Sequence, residues 1–161
     1  MLFCALVLTS CSISYSFTGT SIDYSRVRTV SIGDFPNMAA TVHPPLSNMF
    51  SEALRDQFTR QTRLQLLRSG GDLDLQGEIV AYDHVPLAIG ADGLGAETRL
   101  TLTVNVRFEN QTNAEEDFER RFSASETFPS DRMLSDVQDE LLDIMIRQII
   151  DQIFNDTVAR W

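Results

Sequence analysis

The segment from about Asp131 to Ala159 constrains the fold more than any other part of the chain. Val137, Leu141, Met145, Ile149 and Ile153 form one row at a spacing of four, and Leu142, Ile146, Ile150, Phe154 and Val158 form a second. That spacing predicts a single long amphipathic helix. Each step of four residues advances about 400° around a helix of 3.6 residues per turn, so each row drifts by about 40° per step. Along its length the apolar face winds nearly halfway round. A flat partner cannot cover such a face. The helix therefore either crosses a twisted sheet along its whole length or leaves its C-terminal half for another contact. In the second case Ile150, Phe154, Val158 and Trp161 are the partner-contact candidates.

The sheet that this helix requires is legible upstream. Arg26 to Ile32 alternates and stops at Gly33-Asp34-Phe35-Pro36-Asn37, which predicts a first strand. From Pro45 the period becomes helical, with Leu46, Met49, Phe50, Ala53, Leu54 and Phe58 on one face. Pro44 and Pro45 suit the start of that helix, where a missing N–H costs nothing. After the Gly70-Gly71 turn, Leu73, Leu75, Gly77, Ile79 and Ala81 alternate as a second strand, preceded by an extended piece at Leu64 to Leu67.

Leu100, Leu102, Val104, Val106 and Phe108 form the clearest alternation, and Phe118, Phe122, Ala124 and Phe128 return in phase to make a hairpin. Between Pro86 and Glu97 lies a loop with Gly90, Gly93 and Gly95 beside Leu87, Ile89 and Leu94. It is either a contact element or a flap folded over the core. A helix between two strands makes them parallel, and the added hairpin gives a mixed sheet. The expected fold class is α+β: a two-layer α/β sandwich of a four-stranded mixed sheet with both helices on one face.

The N-terminus carries a different signal. Leu2 to Leu8 is a short apolar run that closes on Leu8-Thr9-Ser10-Cys11. A secretory signal needs roughly 7–15 apolar residues and a small residue before the cut, and a cysteine after it is an acyl acceptor. Cys11 is the expected lipidation site. This divides the chain into a signal peptide (1–10), a lipidated tether (11–21) and one domain (22–161). Met1-Leu2-Phe3 lacks the basic residues of such a signal, so a start further upstream is expected; the alternative is a buried N-terminal strand. No segment reaches the roughly 20 apolar residues of a membrane-spanning helix, which leaves the N-terminal lipid as the membrane attachment. Two acyl chains on such a cysteine anchor stably where one does not.

Thirteen basic residues, all arginine, face 23 acidic ones for a formal net charge of −10, which argues against nucleic acid as a partner. Catalytic chemistry is equally poorly supported. His43 and His84 lack ligand partners at metal spacing, no thiol remains once Cys4 leaves with the signal and Cys11 is acylated, and no GxSxG or phosphate-cradling GxGxxG occurs. Asp136, Glu140 and Asp143 share a helix face and Glu115 to Asp117 crowd a turn, both readable as solvated charge. We expect no enzyme, no metal and no cofactor.

Along its length the chain resembles the LptE family of lipopolysaccharide-assembly lipoproteins in its Bacteroidetes-type form. The matching stretches are Cys11-Ser12, Gly33 to Asn37, Pro45-Leu46, Gly71-Asp72-Leu73, Gly77 to Tyr82, Leu102 to Phe108, Phe118, Phe122, and Ile153-Phe154-Asn155 with Trp161. The resemblance implies an outer-membrane lipoprotein, lipid-anchored on the periplasmic side. Its body would plug an LptD-type β-barrel translocon that delivers lipopolysaccharide to the cell surface, and would help that barrel assemble. The glycine loop or the open sheet face would touch the barrel wall or the substrate. Family members are thought to bind lipopolysaccharide through basic residues, and Arg99 and Arg107 on the hairpin are the candidates for its phosphates, as arginine's fork suits phosphate. The alternative is a periplasm-facing lipoprotein that binds a small apolar ligand in a pocket between helices and sheet.

Overall fold

A computed structural model describes residues 22–87 and 96–159. Seven elements follow in chain order: β1 (Thr29–Ile32), α1 (Leu46–Gln61), β2 (Gln65–Leu67), β3 (Leu73–Pro86), β4 (Glu97–Asn110), β5 (Phe118–Pro129) and α2 (Leu134–Thr157), with one 3₁₀ turn at Ala114–Glu116. They form an α+β fold in which one mixed sheet has the order β2-β1-β3-β4-β5. β1 runs parallel to both β2 and β3, while β3, β4 and β5 are antiparallel. The sheet thus has five strands where alternation predicted four. The extra one is the extended piece before Gly70; at three residues it is too short to display a period, and pairing with β1 makes it a strand.

The two rows of α2 are all buried, from Val137 to Val158, in the same core cluster as Leu46, Phe50, Leu54 and Phe58 of α1 and the inward residues of β3, β4 and β5. Phe58 and Phe154 meet edge to face at 5.3 Å, which fixes α1 beside the C-terminal half of α2. The winding apolar face is thereby covered in two parts: sheet under the first half, sheet and α1 around the second. No described helix is long and apolar enough to cross a membrane.

Two glycines are imposed by close backbone approach. The chain between β2 and β3 passes directly over β1, where a Cβ on Gly71 would lie 2.6 Å from the Ser31 nitrogen and 2.7 Å from the Val30 carbonyl carbon. Ser31, buried beneath, accepts the Gly71 N–H at 3.1 Å and donates to Asp74. Asp72 completes the crossing: its carboxylate accepts the N–H groups of Arg28 (2.8 Å) and Thr29 (3.0 Å) and the Thr29 hydroxyl (2.9 Å). At Gly77 a Cβ would meet the Asn105 carbonyl at 2.2 Å and the Phe35 ring at 2.5 Å. Phe35 fills that space and packs on Phe50 at 5.1 Å. The Gly33 to Asn37 stretch thus seats an aromatic ring on bare strand backbone. It then resumes pairing with β3 through Ile79, whose N–H donates to the Pro36 carbonyl.

β3 also departs from its expected phase. Its register with β4 shifts between Ile79 and Ala81. An extra residue at such a bulge moves every later side chain to the opposite face. Ala81 is therefore not a core residue, and Tyr82 takes the inward position with 1 % of its surface exposed.

Candidate functional site

With one sheet face covered by both helices, the other face is open, and its composition follows from the strand period. On β4 the open face carries Arg99, Thr101, Thr103, Asn105 and Arg107, and on β5 Glu119, Arg121, Ser123, Ser125 and Thr127. Directly opposed residues pair, Thr101 with Ser125 and Thr103 with Ser123, each hydroxyl to hydroxyl at 3.0 Å, while the Asn105 amide reaches diagonally to donate to Glu119 at 2.8 Å. Ala81 and Asp83 of β3 extend these rows. The centre of the face is thus a flat ladder of short polar side chains with arginine at either end. The strand period places Ser123 and Ser125 on the polar face, but only the pairing register shows that they meet the threonines.

Arg99 and Arg107 share this face but do not form one patch. Eight residues of strand separate them, about 27 Å at 3.4 Å per residue. Arg107 is held by Glu109 at 2.5 Å and sits opposite Gln76 and Glu119, while Arg99 sits between Val85 and Thr127. Arg120 lies on the helix side, paired with Asp156 and stacked over Phe118 at 5.2 Å.

The partner-contact candidates on α2 need correcting. Ile150, Phe154 and Val158 are 3 %, 5 % and 1 % exposed. They are packed in the chain's own core, because α1 takes up the face that the sheet leaves bare, and they have no surface to offer a partner. Trp161, Cys11 and the glycine loop at Gly90, Gly93 and Gly95 lie outside the described residues.

Nothing described converges into a reaction centre. His43 shares a hydrogen bond with the Gln138 amide at 2.9 Å, and His84 is exposed. Among the described residues no group of three or more His, Cys, Asp or Glu is placed to hold a metal. Asp143 of the α2 carboxylate row pairs with Arg147. In the turn, Glu116 accepts from the Asn110 and Asn113 amides at 2.7 and 3.1 Å and Asp117 accepts the Asn110 N–H at 2.7 Å, so these carboxylates close the turn. The Tyr82 hydroxyl is buried with no hydrogen-bond partner among the described residues; burial, then the nearby Asp139 charge, pushes its pKa up to about 12.

The described cavities are mixed in character: one of about 570 Å³ beside α1 and the β1–β2 edge is lined by Ile32, Leu66 and Leu67 together with Asp34, Arg55 and Arg68, and has room for a small ligand. Another, of about 160 Å³, lies at the end of the sheet among Asp23, Arg26, Asn110 and Glu116. A groove of about 400 Å³ between α1 and α2 is walled by Asp56, Arg60, Asp143, Arg147 and Asp151.

Comparison with known proteins gives this fold its family. No curated protein matches the sequence. Two solved structures share the fold at low identity. A hypothetical protein of Chlamydia trachomatis aligns with TM-score 0.54 and 11% identity, covering 83% of this chain and 99% of its own. The uncharacterized lipoprotein B of Nitrosomonas europaea aligns with TM-score 0.52 and 13% identity, covering 90% of this chain and 88% of its own. The model of the lipopolysaccharide-assembly family LptE matches residues 27–157, from the residue before Arg28 to the last turn of α2, and the chain belongs to that family.

Proposed function

We propose that this protein is an outer-membrane lipoprotein, anchored through Cys11 on the periplasmic side. In this reading it plugs and helps assemble an LptD-type β-barrel that delivers lipopolysaccharide to the cell surface. Membership of the LptE family over nearly the whole domain carries the reading. The open sheet face supports it physically. Wide barrel lumens are lined by polar side chains, so a plug inside one must present a polar, flat surface rather than an apolar one. The Thr101/Ser125 and Thr103/Ser123 ladder is such a surface: short side chains let a barrel wall approach, and its hydroxyls donate or accept as the wall requires.

The test places a photo-activated cross-linking residue at Thr103 in the acylated protein in cells. The expected product is a covalent adduct with one large outer-membrane β-barrel. Adducts only with small soluble proteins, or none, would overturn the assignment of this face to the barrel wall.

A further inference from the structure

The sheet ends in two unequal edges: β2 closes one with 3 residues, and β5 closes the other with 12. β5 pairs with β4 without interruption from Phe118 to Pro129, so no bulge twists this edge away from a neighbour. Just past its end the Ser130 N–H donates to the Ala96 carbonyl at 2.8 Å, in continuation of the same register. Hydrogen-bonded pairs recur at every second residue of an antiparallel ladder, so the even-numbered residues of β5 bond to β4. The backbone N–H and C=O groups of Glu119, Arg121, Ser123, Ser125 and Thr127 therefore point outward, away from β4. They meet no backbone partner among the described residues. Pro129, next in that series, has no N–H to offer.

The residues of this strand are complementary to themselves about Ser123. A second copy of β5, running antiparallel with Ser123 opposite Ser123, joins Arg121 to Ser125 and Glu119 to Thr127 through the outward backbone groups. This register engages every outward N–H. A slip of two residues either way sets Glu119 against Pro129 or carries Thr127 off the strand to Asp117. On the helix side the same register opposes Phe118 to Phe128, Phe122 to Ala124, and Arg120 to Glu126. The slipped registers oppose Arg120 to Phe128, or Phe118 to Glu126. Arg120 is half-exposed beside Asp156, and Glu126 accepts the neutral Gln148 amide at 2.9 Å, so each charge has room for a partner across the axis. The exposed Ile144 lies one turn before Gln148, on the side of α2 that reaches β5, and adds apolar surface along this edge.

We propose that β5 is the contact of a symmetric homodimer, in which two copies of this chain join edge to edge about a two-fold axis at Ser123 and their sheets become one. Each of the opposed pairs from Glu119 to Thr127 exchanges two backbone bonds, about ten in all. The contact is isologous, because both copies present the same strand to each other, and it closes at two subunits. It uses the edge of the sheet and leaves the polar ladder on the open face uncovered. The inference therefore does not rest on the function proposed above.

The experiment uses the full chain carrying Cys4→Ser and Cys11→Ser, so that neither a native thiol nor an acyl group contributes, and reads mass by sedimentation velocity over a concentration series. A species of twice the chain mass is expected to grow with concentration and to grow no further. Ser125→Pro removes one outward N–H from each copy without touching the bonds to β4, and is expected to weaken the dimer on the order of tenfold. Glu126→Gln is expected to weaken it a few-fold. Thr127→Arg, which makes the same change in net charge but stands opposite Glu119, leaves it at least as tight. Single cysteines in the same background read the register: Ser123→Cys forms a disulfide-linked dimer on mild oxidation, and Thr127→Cys does not. Circular dichroism checks that each variant is folded. A monomer throughout the series, association that continues beyond two copies, a dimer indifferent to Ser125→Pro, equal weakening by Glu126→Gln and Thr127→Arg, or equal cross-linking at 123 and 127 would overturn the proposal.

Discussion

Tyr82 is the residue where fold and side-chain chemistry disagree most. The bulge in β3 turns it inward, and its hydroxyl arrives in the core without a partner among the described residues. A buried hydroxyl without a hydrogen bond costs about 1–3 kcal/mol, so Tyr82→Phe is expected to raise stability by about 1 kcal/mol, read as a higher urea midpoint. A lower midpoint would mean that the hydroxyl is bonded. Asp72 is the opposite case. The Arg28 N–H bond, then the Thr29 hydroxyl, hold its carboxyl below the usual carboxylate range. A group whose folded pKa is depressed contributes stability in full above its unfolded value and loses it as pH falls through the folded one. The wild type is therefore expected to lose stability below about pH 4 in a step that Asp72→Ala lacks, and that variant costs about 1–2 kcal/mol at neutral pH. Superimposable pH profiles would contradict the role. Neither role is readable from the sequence: the partners of Asp72 lie more than 40 residues away on β1, and the alternation of β3 carries no sign of the register shift that turns Tyr82 inward.

Among the elements, α2 was the most legible and decided the most. Its two winding rows called for a twisted sheet, and the sheet is there; the rows could not tell whether a second helix or another protein covered the C-terminal half. Phe58 on α1 answers that, and a contact between residues 96 positions apart leaves no local signature. Phe154→Ala is accordingly expected to cost about 3–5 kcal/mol in denaturant unfolding. A variant that keeps its stability but no longer binds a partner would restore Phe154 to a docking surface. β2 was legible only as an extended piece at Leu64 to Leu67, since three residues carry no period that would mark a strand. Gly77 read as one more strand position, yet Phe35 occupies the space of its missing side chain. Gly77→Ala forces that ring and the β4 backbone apart and is expected to cost about 2–3 kcal/mol or more, whereas an exposed alanine substitution such as Gln152→Ala costs less than about 0.5 kcal/mol.

At the scale of the whole molecule, one sheet face and both helices are committed to a single core, and the other face is a polar ladder. Among the described residues no group of three or more His, Cys, Asp or Glu is placed to hold a metal. The sequence resemblance points to the LptE family through spacing along the chain, and the family match over residues 27–157 agrees with it. Residue-level contacts were less legible, because a surface is defined by which strands pair: Arg107 lies opposite Gln76 and Glu119, and Arg99 between Val85 and Thr127.

We propose that this protein works as the plug of a barrel. Affinity purification of the tagged, acylated protein from outer membranes in mild detergent tests it most directly, with co-purifying proteins identified and quantified by mass. The account predicts one large β-barrel in near equal molar amount. Recovery of the protein alone, with the barrel left in the unbound fraction, would contradict it.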